Sequence, residues 1–217
     1  MAIFALSDEL YFPPAHLAEK DGLLAIGGDL SPQRLLLAYA FGIFPWYETA
    51  PILWWSPDPR FVLFPDEFRR SKTVRSLINK NAFQFTMNTA FEAVIRHCQQ
   101  VKRSNQEGTW ITEAIVAAYH TLHLQGYAHS AEVWQEGVLV GGLYGIRLGR
   151  VFFGESMFSL VSNASRYAFD RYVAHLKNEQ VALIDCQVYS EYLESMGARM
   201  IDGNTFDALL KEFIPAR

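Results

Sequence analysis

Apolar and polar positions alternate most clearly between Leu139 and Ser159. The runs LVGGLYGIR (139–147) and RVFFGESMF (150–158) are rich in Val, Phe, Leu and Tyr and meet at Leu148-Gly149. Two such runs joined by a short Gly-containing turn predict a β-hairpin. Because side chains alternate faces along a strand, Glu155 and Met157 are expected on one face and Ser156 and Phe158 on the other. The same rule, applied to the strand predicted over 181–188, puts Asp185 with Gln187 and turns Cys186 away. If both segments lie in one sheet, a carboxylate, a carboxylate–amide pair and a large apolar side chain converge on one cleft.

Around this centre the period switches between helix and strand. Ser31-Pro32 reads as an N-cap followed by Pro at the first helical position. Leu35, Leu36 and Tyr39 supply the apolar face of that helix, and Gly42 ends it. Thr89 with Glu92 has capping-box spacing before Phe91, Val94, Ile95 and Cys98, and Thr112 opens a helix that buries Ile115, Tyr119 and Leu122. Asn163 is placed as the cap of a helix carrying Phe169, Tyr172, Val173 and Leu176 at i, i+3, i+4 and i+7. A helix ending at Gly197, a short strand over 198–201 and a last helix from Thr205 complete an α+β chain. The first sixty residues read differently. Eight of the nine prolines lie within or just after them, among FPP, IFPWY and ILWWSPDPR, so a small N-terminal domain (1–60) and a larger domain (61–217) are expected.

Composition narrows the classes. At 217 residues, 50% hydrophobic and 14% aromatic, the chain can bury one full core plus a small second unit. No apolar run reaches the roughly 18 to 20 residues that span a bilayer, and MAIFALSDEL lacks a basic n-region, so a cytoplasmic monomer with no membrane contact is expected. Cys98 and Cys186 stand far apart with no metal spacing, so neither a disulfide nor a bound metal is expected. A net charge of −4 argues against a protein that coats nucleic acid. Yet RRSKTVRSLINK (69–80) holds five basic residues and no acidic one. Val74, Leu77 and Ile78 lie at helical spacing, with Lys72 and Arg75 on the outer face, and Lys102 and Arg103 extend the patch.

Among chemical motifs, GxxxxGK[ST], GxSxG and HExxH are absent. Cys186 reads as a structural thiol, and His97, His120, His123 and His129 as surface or packing residues. Glu155, Asp185 and Gln187 are different, because a carboxylate inside an apolar strand costs several kcal/mol, roughly, unless it is paired or opens on a cleft. The structural alternative is an ion pair with Arg147 or Arg166. Trp46, Trp54 and Trp55, flanked by prolines, suit packing between domains, though aromatics beside a cleft also stack on bases.

Nine segments, GLLAIGGDLSP, GIFPW, ILWWSPDPR, GTWIT, AHSAEVW, LVGGLYG, FGESMFS, NAS and LIDCQV, spread from residue 22 to 188, resemble the leucyl/phenylalanyl-tRNA-protein transferase family. The resemblance implies a larger domain of GCN5-related N-acetyltransferase-like fold, a mixed sheet flanked by helices. It also implies transfer of Leu or Phe, and less readily Met, from aminoacyl-tRNA to proteins with N-terminal Arg or Lys, marking them for N-end-rule degradation without a cofactor. By the same resemblance Asp185 and Gln187 orient the attacking amine, and Glu155 faces the acceptor's basic side chain. Leu143, Met157, Phe169, Tyr172, Leu176 and Ile184 form the aminoacyl pocket. Trp46, Trp110, Tyr119 and Tyr39 meet the terminal adenosine; apart from the resemblance, the basic helix with Lys72 and Arg75 on its outer face is expected to touch tRNA phosphates. Asp185 and Gln187 are both expected to be replaceable by Ala without loss of the fold. An acyl-CoA N-acyltransferase is disfavoured, since LVSNASRY stands where a Gly-rich pyrophosphate loop would be. A non-catalytic tRNA-binding module is the other alternative.

Overall fold

In the computed structural model, which describes residues 3–101 and 109–215, the strands form two sheets. The smaller holds β1 (Phe4–Leu6), β2 (Leu23–Gly27), β3 (Phe44–Pro45) and β4 (Leu53–Trp55) in the order β1-β2-β4-β3. Helix α1 (Pro32–Ala40) lies between β2 and β3 in sequence. It starts as predicted, with Pro32 in its first turn and the Ser31 hydroxyl accepting from the Arg34 N–H, and Gly42, at φ 71°, follows its end.

The larger sheet comprises β5 (Arg60–Leu63), β6 (Gln84–Met87), β7 (Ala128–Gln135), β8 (Val138–Leu148), β9 (Val151–Ser159), β10 (Leu183–Gln187) and β11 (Arg199–Ile201). Their order is β11-β5-β10-β9-β8-β7-β6. The hairpin forms where the pattern put it, with Leu148 opposite Val151. Every pairing in this sheet is antiparallel except β9 with β10.

Helices cover both faces. On one, α1, α3 (Phe91–Gln100), α4 (Glu113–Leu124) and α7 (Gly203–Phe213) share a core with Tyr144, Ile146, Phe153 and Leu183. On the other, α5 (Ala164–Asn178) packs with Leu143, Phe152 and Ile184, flanked by apolar residues of α2 (Lys72–Asn79) and α6 (Glu191–Ser195). The first core does not stop at the smaller sheet: Leu35 and Tyr39 of α1 belong to it together with Ile115 and Tyr119 of α4.

Several local expectations fail for identifiable reasons. The capping box does not form: Ala90 occupies the N-cap of α3, and the Thr89 hydroxyl instead turns to Thr86 and the buried Glu132. Asn163 stands at the N-cap of α5 without capping it, because it adopts the left-handed conformation, φ 66°, that Asn tolerates. The last helix begins at Gly203 rather than Thr205, with Asp202 as its cap. Strict alternation is broken by two bulges, one in β9 opposite Tyr144/Gly145 and one in β10 between Asp185 and Gln187.

Candidate active site

The parallel junction makes the site. Strands β9 and β10 pair from Val151/Leu183 to Phe153/Asp185 and no further, so Glu155, Ser156 and Met157 separate from Cys186, Gln187 and Val188. Between them lies a cavity of about 260 Å³. Both bulges fall at this divergence. Two residues of β9 then occupy the space of one, which bends the strand and re-aims its side chains. A glycine is required opposite the bulge, since a Cβ on Gly145 would lie 2.1 Å from the Phe153 carbonyl oxygen.

The bulge also corrects the predicted faces. Met157 sits opposite Leu143 and packs against the α5 core. Glu155 points to the other side, where Tyr39 and Tyr119 of the first core meet it. The Tyr39 hydroxyl is 2.8 Å from Glu155 Oε1, the Tyr119 hydroxyl is 3.2 Å from Oε2, and the two hydroxyls contact each other. Gln187 Nε2 donates to Oε1 at 2.9 Å. Burial raises the Glu155 carboxyl to about 7, the neighbouring Asp185 charge adding to the rise and the tyrosine and Gln187 hydrogen bonds opposing it. Both phenols are pushed well above their ordinary range, by burial first and then by Glu155.

Asp185 and Gln187 share the Glu155 side while Cys186 packs with the opposite core, as alternation predicts. Burial drives the Cys186 thiol upward, which disfavours the thiolate a nucleophile needs. The structural partner of Asp185 is neither Arg147 nor Arg166 but Arg60 at the start of β5. Arg60 Nε and Nη2 donate to the two carboxylate oxygens at 2.8 and 2.6 Å, and both side chains are about 1% exposed or less. Rings of Phe44 and Phe206 flank the guanidinium at 4.9 and 4.7 Å. Asp185 Oδ1 also accepts the Gln187 N–H at 2.9 Å, which fixes Gln187 in a left-handed conformation, φ 65°. Asp185 therefore lies beneath the cavity, not on its wall. It aims Gln187, and its removal would leave Arg60 buried and unpaired, which argues against the expectation that it can be replaced without cost to the fold.

Of the predicted aminoacyl pocket, Leu143, Met157, Phe169 and Ile184 line the cavity, joined by Phe152, which pattern reading did not single out. Tyr172 and Leu176 do not: Tyr172 packs edge-on behind Phe152, and Leu176 is core. Trp46 and Trp110 line the cavity with Phe44, Pro45 and Tyr189. Tyr39 and Tyr119 are fully buried and hold Glu155, so neither presents a ring for an adenine to stack on. Lys72 and Arg75 are exposed on α2, whose Val74 is buried beneath them; Lys102 and Arg103 lie outside the described residues. No cluster of His, Cys, Asp or Glu suited to a metal occurs among the described residues. Arg60 was the residue pattern reading missed. Its signal was there: one cation in the strand RFVL and one anion in LIDCQ, each inside an apolar run.

The site is thus a mixed sheet of an α+β protein, flanked by helices and parted at its one parallel junction over a pocket with an apolar end and a carboxylate–amide end. Two family models, the leucyl/phenylalanyl-tRNA protein transferase and its N-terminal domain, match residues 62–211 and 28–58. Curated proteins named leucyl/phenylalanyl-tRNA--protein transferase are 56% identical. The Syntrophobacter fumaroxidans protein matches over 99% of this chain and 92% of its own, and the Flavobacterium johnsoniae protein over 96% and 99%. The chain belongs to the leucyl/phenylalanyl-tRNA protein transferase family. Among solved structures, that of L-PGS from Bacillus licheniformis is 10% identical over 90% of this chain and 72% of its own at a TM-score of 0.47.

Proposed function

We propose that this transferase moves Leu or Phe, and less readily Met, from aminoacyl-tRNA to the α-amino group of proteins that begin with Arg or Lys, acting as a cytoplasmic monomer of two domains, 1–60 and 61–217. The observation that carries the proposal is the division of one cavity into an apolar end, walled by Leu143, Met157, Phe169 and Ile184, and a polar end formed by Glu155 and Gln187. Unbranched and flexible walls accept Leu, Phe or Met side chains and exclude β-branched ones by shape. A lone carboxylate at the other end selects a cationic acceptor.

The reaction is aminolysis. The neutral amine attacks the ester carbonyl, the C–N bond forms, the bond to the ribose oxygen breaks, and the terminal hydroxyl of the tRNA leaves with a proton. Little chemistry is required of the protein beyond placing amine and carbonyl together, a contribution of roughly 7–11 kcal/mol when the geometry is good. Gln187, aimed by Asp185 and Arg60, positions the amine by hydrogen bonding. Trp46 and Trp110 take the terminal adenosine, while Lys72 and Arg75 on α2 meet phosphates.

The test is incubation with labelled Leu-tRNA and three peptides beginning with Arg, Lys or Ala. Label on the first two and little on the third is expected. Equal labelling of all three removes Glu155 as the selecting group.

A further inference from the structure

We infer that the ring of oxygens formed by Glu155, Tyr39 and Tyr119 closes around a protonated Glu155 carboxyl in the unliganded enzyme, so that uptake of an acceptor with a cationic first side chain expels one proton from the site. The inference rests on Glu155 being the group that reads the acceptor, and it concerns how that reading is made selective.

The argument is a count of protons. Three oxygen pairs are in contact: the Tyr39 and Tyr119 hydroxyls with each other, Tyr39 with Glu155 Oε1, and Tyr119 with Glu155 Oε2. Each contact needs one hydrogen, and two phenols supply two. The third comes from the carboxyl itself. Oε1 already accepts from Gln187 Nε2, which places the carboxyl proton on Oε2. The cycle then closes, Oε2 donating to Tyr119, Tyr119 to Tyr39, and Tyr39 to Oε1. Were Glu155 ionised with both phenols donating to it, the two phenolic oxygens would face each other with no hydrogen between them.

The surrounding charges agree. Tyr39 faces Glu155 from α1, Tyr119 from α4 with Tyr47 beyond it, and Asp185 and Gln187 from β10. Arg60, buried beside Asp185, is committed to that carboxylate. Among the described residues, no Lys, Arg or His lines the cavity. An acceptor Arg or Lys brings a cation. On its arrival the carboxyl O–H on Oε2 breaks and the proton passes to water, while Tyr119 still donates to Tyr39 and Tyr39 to Oε1, so Oε2 is freed to pair with the acceptor's cation. An acceptor with a neutral first side chain meets a neutral acid and gains nothing from ionising it. Selection thus comes from a charge that exists only when the right partner is present, and the empty site does not hold stray cations.

Calorimetric titration of an Arg-initial peptide, without tRNA, in two buffers of different ionisation heat counts the protons. With Glu155 near 7, the carboxyl contribution is expected to be about nine-tenths of a proton per peptide at pH 6 and about a tenth at pH 8. Glu155→Gln isolates that contribution, because a proton lost from the peptide's own α-ammonium persists in the variant while the carboxyl's does not.

Where Glu155→Gln binds too weakly to titrate, unfolding read against pH decides. A carboxyl raised in the folded state holds its proton more tightly than the unfolded chain does. Wild-type stability should therefore decline from about pH 4.5 to about pH 7 and level off above, and the decline should be absent in Glu155→Gln, whose amide keeps its protons at every pH. Equal proton counts in wild type and Glu155→Gln, or superimposable stability profiles, overturn the inference while leaving Arg and Lys transfer standing. Failure to label Arg peptides at all overturns the proposed function instead.

Discussion

On the function proposed above, the two faces of the central sheet solve different recognition problems by different means. On the α5 side, Leu143, Met157, Phe169 and Ile184 surround one end of the cavity with carbon and sulfur. On the other side a core of comparable depth contains Arg60, Asp185, Glu155 and two buried phenols, all tied together. Shape can be read by packing alone, since removing or adding a methylene changes the fit directly. Charge cannot. A carboxylate able to select a cation has to be carried through folding without one, and that requires fixed donors and a partner for every neighbouring charge. The face that reads charge is therefore the more expensive to build and the less tolerant of change.

The contrast is broken most forcefully at Asp185. Asp185→Ala should cost about 3–5 kcal/mol in denaturant unfolding, because Arg60 stays buried without its partner, and Asp185→Asn should cost less. A loss under about 1 kcal/mol would mean that Arg60 escapes to water and that the polar face is no more demanding than the apolar one. Next comes the apolar end. Met157→Phe adds bulk to the wall, and kcat/KM with Phe-tRNA should drop about 10- to 100-fold relative to Leu-tRNA, equivalent to about 1–3 kcal/mol, with the fold kept to within about 1.5 kcal/mol. Unchanged relative kinetics would remove Met157 from the pocket.

A smaller effect tests a region outside both faces. Reversing Lys72 and Arg75 together to Glu should raise KM for intact aminoacyl-tRNA at low salt and flatten its salt dependence by about one to two units of log–log slope, while a short aminoacyl-adenosine analogue is unaffected. If KM for the tRNA does not move, α2 is a solvated surface and the tRNA body docks elsewhere. Smallest of all is Cys186→Ser, expected to change stability by under about 1 kcal/mol and turnover hardly at all. A trapped aminoacyl-enzyme, or abolished transfer in a folded variant, would replace direct attack with a covalent route.

Much of the fold was legible because its signals are local. The hairpin at Leu148, the Ser31-Pro32 start and the Thr112 cap each depend on a few adjacent residues. The site was legible as a set of residues and less so as a geometry. Glu155, Asp185 and Gln187 stood out as polar groups in apolar strands, but a bulge adds a residue without changing the apolar–polar pattern, so the side on which Glu155 falls could not be counted out from Met157. The pairing of Asp185 with Arg60 spans 125 positions, and neither residue's neighbours encode the other. Tyr39 and Tyr119 lie at the site with their rings buried and their hydroxyls on Glu155, and an aromatic residue in a matching segment does not say whether its ring or its hydroxyl faces the cavity.

The boundary between the two family matches falls between residues 58 and 62, and the hydroxyl contact between Tyr39 and Tyr119 crosses it. Phe44, Pro45 and Trp46 of the earlier segment likewise wall a cavity whose floor belongs to the later one. The seam along which this chain would most naturally be cut and rejoined with a relative runs through the middle of its binding chamber. A chimera joined there inherits half of the carboxyl's hydroxyl partners from each parent, and its acceptor preference belongs to neither until Tyr39 and Tyr119 have been matched as a pair.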